Sequence, residues 1–124
     1  VTQQEHDAAI RRGEESIRTQ PGAIAVHFEP ETRRITINLN RGFSVSFPPE
    51  RAQGLANASN DELSEIEITS AGLGIYFPRL DADLSVPAIV NGRFGNDRWE
   101  AAWHDAHPQQ LLPARKTRRK QVAA

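Results

Sequence analysis

A chain of 124 residues is the length of one domain, long enough to bury about two-thirds of its surface without covalent staples. The absence of cysteine excludes disulfides, thiolate nucleophiles and Cys-ligated zinc. No apolar run approaches the ~20 residues that span a bilayer, and with no basic and apolar leader the chain reads as cytoplasmic. The net charge of -1 hides a division: Arg115, Lys116, Arg118, Arg119 and Lys120 crowd the end of the chain. The remainder holds ten arginines against sixteen carboxylates, about -6. An acidic body with a basic arm is expected, the arm reaching a polyanion or folding back on its own domain.

Residues 2–19 read as a helix. Thr2 and Glu5 have capping-box spacing, and His6, Ile10, Gly13 and Ile17, with Ala9 beside them, make a narrow apolar stripe. Gln20-Pro21-Gly22 ends it. Three alternating runs follow: Ile24, Val26 and Phe28, then Ile35, Ile37 and Leu39, then Phe43, Val45 and Phe47. With polar residues between them and short turns at 30–33 and 40–42, they predict an antiparallel three-strand meander.

Pro48-Pro49 stops the third strand, since neither residue donates to a ladder. Arg51 to Leu55 suits one helical turn ended by Gly54, and Ser59 and Glu62 have capping-box spacing for a second short helix. Ile66 and Ile68 alternate with Glu65, Glu67 and Thr69, a fourth strand with an acidic outer face. Gly72-Leu73-Gly74 then turns the chain into a fifth, Ile75 to Phe77, after which Pro78 takes it out of the sheet. Ser85 caps a short helix with Pro87 in its first turn, and Asn91-Gly92 ends it. Asn96 caps the last helix, where Trp99, Ala102, Trp103 and Ala106 share a face that either plugs the core or offers an interface. From Pro108 the periodicity dissolves, and the tail is expected to be disordered in isolation.

The stretch Gly72-Leu73-Gly74-Ile75-Tyr76-Phe77-Pro78-Arg79-Leu80-Asp81-Ala82-Asp83-Leu84-Ser85-Val86 resembles the hallmark of a family of small bacterial proteins of unknown function. The resemblance extends from about residue 20 to residue 100, and Phe77 stands where that family commonly has tryptophan. It implies an α+β domain, sometimes linked with helix-turn-helix segments and often encoded beside small toxin-like proteins. A regulatory or antitoxin-like role is what such company suggests. Gly72, Gly74, Phe77, Pro78, Asp81, Asp83 and Ser85 are its motif residues here.

Asp81 and Asp83, two apart, could face one hard cation such as Mg²⁺, but a dedicated site needs more oxygen ligands. The alternative is structural, with Asp83 capping the next turn and Asp81 tied to backbone N–H groups or to Arg79. Leu80, Leu84 and Val86, interleaved as core anchors, favour it. His6 and His27 lie far apart in sequence, and His104 and His107 lack a third ligand for zinc. There is no Gly-x-Ser-x-Gly elbow and no nucleotide loop after Gly74.

The reading is therefore an α+β domain: an N-terminal helix (1–20), then a core (21–107) of an antiparallel meander extended to about five strands with short C-terminal helices, then a basic tail (108–124). No catalytic residue, metal site or cofactor is expected. The expected role is that of a non-enzymatic regulatory or antitoxin-like protein that binds a partner protein, itself toxin-like, through Trp99, Trp103 and Tyr76. The tail cations add nucleic-acid affinity, and a homodimer is compatible with this reading. The alternative is an adaptor without nucleic-acid binding.

Overall fold

The computed structural model describes residues 2–8 and 19–110. Helix α1 (residues 3–8) opens with the expected reciprocal cap. The Glu5 N–H donates to Thr2 Oγ1 at 3.1 Å, and the Thr2 N–H donates to Glu5 Oε2 at 3.3 Å. Its stripe residues Ile10, Gly13 and Ile17 lie outside the described residues.

Strands β1 (Ala23–Glu29), β2 (Arg34–Leu39) and β3 (Ser44–Phe47) form the expected antiparallel meander. Ile35 lies opposite Phe28 and Phe47, and Ile37 opposite Val26 and Val45, so one face carries the apolar side chains. The alternation expected of β1 breaks at its start. A register shift between Ala23 and Ala25 inserts one residue, which puts Ala23 in the core opposite Leu39 and turns Ile24 out, 68% exposed. Phe43 sits in the turn before β3 and is exposed as well.

A single turn of 3₁₀ helix at Pro49–Arg51 follows, then α2 (Asn60–Leu63). Ser59 and Glu62 make both bonds of their capping box, and the Ser59 N–H and hydroxyl, both donating to the Glu62 carboxylate, hold it below its usual range. Arg33, at the tip of the first hairpin, ties this connection down by donating to Glu50, to Asn60 and to the Ala58 carbonyl.

The later strands do not extend the first meander to five. They form a second three-stranded antiparallel sheet of β4 (Glu67–Thr69), β5 (Gly74–Phe77) and β6 (Ala82–Ser85), in that order. The sixth strand is the stretch expected to leave the sheet after Pro78. Leu80 N–H donates back to the Phe77 carbonyl at 3.1 Å and Asp81 takes a positive φ of 48°, a tight reversal that sends the chain back along β5. Ala82 and Leu84 then face the core, while Asp83 and Ser85 face outward.

The two sheets approach where β1 runs beside β4. Gly72 has φ +97°, and a Cβ there would lie 2.9 Å from the Ala23 carbonyl oxygen, so the junction needs glycine. Ser85 caps α3 (Val86–Val90) and Asn96 caps α4 (Asp97–Ala106), both as the sequence reads. Ile35, Ile37 and Phe47 from the first sheet meet Ile75, Phe77 and Leu84 from the second in one core, with Leu55, Leu63, Val86 and Ile89 closing it. Phe77 is fully buried, and removing its ring would cost about 3–5 kcal/mol. Among the described residues no helix is long and apolar enough to cross a membrane.

Candidate functional site

Because side chains alternate along strands, the register of the second sheet determines which residues share its outer face. Glu67 pairs with Tyr76 and Tyr76 with Asp83, so a carboxylate, a phenol and a carboxylate form one row across three strands. Asp81, at the start of the reversal into β6, adds a third carboxylate, and its Oδ1 accepts from the Tyr76 hydroxyl at 2.9 Å. That bond, then partial burial and the charges of Asp81, Asp83 and Glu67, raise the Tyr76 phenol above its usual range. Glu67, Asp81 and Asp83 are exposed, and among the described residues no ion pair links them to a cation.

A cleft runs along the outer edge of β6, beside this face. Two adjoining hollows of about 230 Å³ each follow residues 81–85 and are walled by Gln53 and Gly54 on one side and by Gly95 and Asn96 on another. The walls are held together by main-chain and amide bonds. Gln53 N–H donates to the Phe94 carbonyl at 2.9 Å, and the Asn96 N–H donates to Gln53 Oε1 at 2.8 Å.

The structure places the sequence candidates in separate settings. Tyr76, Asp81 and Asp83 come together on the acidic face. Asp83 lies in β6 instead of capping a turn, and Asp81 meets Tyr76 instead of Arg79 or a backbone N–H. Gly72 and Gly74 shape the turn before β5, and Ser85 caps α3. Trp99 and Trp103 stand apart from this face, half-buried around Arg51: Trp99 Nε1–H donates to the Arg51 carbonyl at 2.9 Å, and the Arg51 guanidinium lies 4.2 Å from the Trp103 ring.

Arg51, Glu100 and Gln53 were not among the sequence candidates. They occupy places that only tertiary contact defines, since Arg51 meets Glu100 across 49 residues. Glu67 was legible as part of an acidic strand face, but its alignment with Tyr76 depends on register. Among the described residues no group of three or more metal-ligating side chains converges. His107 stacks on Trp103 at 4.3 Å, and His104 lies 3.8 Å from Glu100. Arg115, Lys116, Arg118, Arg119 and Lys120 lie outside the described residues.

A family model described as "Protein of unknown function (DUF2442)" matches residues 23–95. Among solved structures, the chain is similar to a protein of unknown function from Rhodospirillum rubrum, with 37% identity over 65% of this chain and 98% of that one and a TM-score of 0.62. It is also similar to an uncharacterized protein from Chromobacterium violaceum, with 31% identity over 90% of this chain and 98% of that one and a TM-score of 0.64. No curated protein matches the chain.

Proposed function

The chain belongs to the DUF2442 family of proteins of unknown function, and we propose that it is a non-enzymatic regulatory protein that binds a basic partner protein on the outer face of its second sheet. The observation that carries this reading is the row Glu67–Tyr76–Asp83, with Asp81 bonded to the phenol. A half-buried aromatic ring offers apolar contact area and a π-face for a cation, and the carboxylates around it give a partner's lysines or arginines their counter-charges. Like charges that pair with no cation among the described residues also raise the local field, which steers a basic partner and speeds encounter.

An antitoxin-like role follows from the same chemistry. A small protein that acts on nucleic acid carries a basic surface, and an acidic face laid over that surface displaces phosphates. This agrees with the toxin-like neighbours implied by the motif resemblance. The tail cations, Arg115 to Lys120, add salt-sensitive affinity for nucleic acid that does not read sequence.

Affinity capture of the tagged chain from cells of its source, after nuclease treatment, tests the reading when run beside a Glu67→Arg, Asp83→Arg variant. A stoichiometric small basic protein held by the wild type and lost by the variant is the expected result. Equal retention on both, or capture that disappears with nuclease, would overturn it.

A further inference from the structure

We infer that the open edge of β6 takes up an extended, lysine- or arginine-bearing segment of the partner protein as a fourth strand of the second sheet; this rests on the partner-binding reading above. In the order β4-β5-β6, β6 pairs among the described residues only with β5. A strand at the end of a sheet directs half of its backbone N–H and C=O groups away from its neighbour, and such a row is a template for another strand. Among the described residues no backbone hydrogen bond runs from Ala82, Asp83 or Leu84 to the segments across the cleft.

The cleft provides the space. Its two hollows follow the β6 edge from Asp81 to Ser85; Gly54 closes on Ala82, where a Cβ would lie 3.1 Å from the Ala82 Cβ, and the space lies beyond it toward Gly95. Gly95 is held close by its surroundings: a Cβ there would meet the Trp99 ring at 2.6 Å and Gln53 Oε1 at 2.7 Å. A sheet edge is usually blunted by proline, lysine or a covering loop. The four-residue β6 edge carries neither residue type, and beyond the contact of Gly54 with Ala82 it opens onto a recess.

The alternation of β6 specifies the incoming strand. Ala82 and Leu84 face the core side, and Asp83 and Ser85 face the acidic side. Every second residue of an added strand therefore lies over Asp81 and Asp83, where a cation is favoured, and the residues between lie toward Gln53 and Gly54. A second copy of this chain is the wrong occupant. Pairing β6 with β6 would bring the Asp81 and Asp83 carboxylates of both copies together, and like charges opposed across strands are destabilising.

The test is amide hydrogen exchange and NMR shift mapping on the full chain, with an acetylated, amidated octapeptide of alternating lysine and valine as probe. Two further versions carry N-methyl groups at every lysine or at every valine. The alternating peptide should slow exchange of the cleft-facing amides within residues 82–85 by about tenfold or more at saturation. One N-methylated version should lose that effect, because its donors are the ones turned toward β6. Shifts confined to Tyr76 and Glu67, with β6 exchange unchanged, would refute strand addition and leave the acidic-face reading standing. No shift on either surface would overturn both. Equal binding by both N-methylated versions would show that backbone pairing plays no part.

Discussion

Arg51 and Glu100 form a buried bidentate pair, with Nη1 to Oε2 at 3.0 Å and Nη2 to Oε1 at 2.6 Å, and the guanidinium lies against the rings of Phe94 and Trp103. The Phe94 N–H also donates to Glu100 at 2.9 Å, and Trp99 Nε1–H reaches the Arg51 carbonyl. One arginine thus fastens α4 to the turn at Pro49–Arg51. Removing one partner leaves the other charge buried, so Glu100→Ala should lower stability by about 3–5 kcal/mol in urea unfolding followed by tryptophan fluorescence. The double change Arg51→Met, Glu100→Leu should recover most of the loss, because it removes both charges and keeps the volume.

The same pair gives a pH dependence. Burial alone would raise the Glu100 carboxyl, but the Arg51 hydrogen bonds, the Phe94 N–H and the nearby Arg51 and Arg93 charges outweigh it and hold the group below its ordinary value. A lowered folded pKa contributes stability that is complete above the unfolded titration, near about 4.3, and is lost as pH falls through the lower folded value. Urea midpoints measured below about pH 4.3 should therefore fall more steeply for the wild type than for Glu100→Gln.

Tyr76 is the one tyrosine in the chain, so tyrosinate absorbance reads it without interference. Its ionisation midpoint should lie above the usual value of about 10, and Asp81→Ala should bring it down, since the Asp81 bond is the largest cause of the shift. With the folded pKa raised, the stability Tyr76 contributes is present below about pH 10 and lost as pH rises through the folded value. A midpoint unmoved by Asp81→Ala would contradict the bond.

The parts of this structure legible in the sequence are the local ones. Four caps, at Thr2, Ser59, Ser85 and Asn96, were readable because a cap is a matter of residues three apart. The first meander was readable from its period of two. Its β1 bulge was not, because Ile24 fits the alternation and only pairing with β2 shows the extra residue. β6 is not legible because four residues with a single large apolar side chain, Leu84, carry too short a pattern, and Pro78 before it reads as the exit from the sheet. The split into two sheets and the Arg51–Glu100 pair depend on contacts between residues far apart in sequence. The tryptophan spacing located a helix face correctly, yet nothing local shows that an arginine from the distant turn fills it.

Two glycines separate backbone strain from crowding. Gly72 and Gly92 both have positive φ, but a Cβ at Gly72 meets the Ala23 backbone at 2.9 Å, while one at Gly92 has nothing within 4 Å. Gly92→Ala should cost about 1–2 kcal/mol from conformation alone. Gly72→Ala should cost clearly more, with chemical denaturation of both variants as the comparison.

Deleting residues 113–124 removes all five tail cations and leaves the described residues intact. The shortened chain should lose retention on double-stranded DNA at low salt, and for the full chain log K should fall linearly with log salt. Retention unchanged by the deletion would place any nucleic-acid affinity elsewhere.

The most direct measurement on the central claim is photo-crosslinking in cells of the source, with a benzophenone side chain placed at Tyr76 and, as control, at Ile24 on the first sheet. The account predicts a cross-link from position 76 to a single small basic protein, insensitive to nuclease, and none to that protein from position 24. A cross-link to the same protein from position 24 and not from position 76 would contradict it.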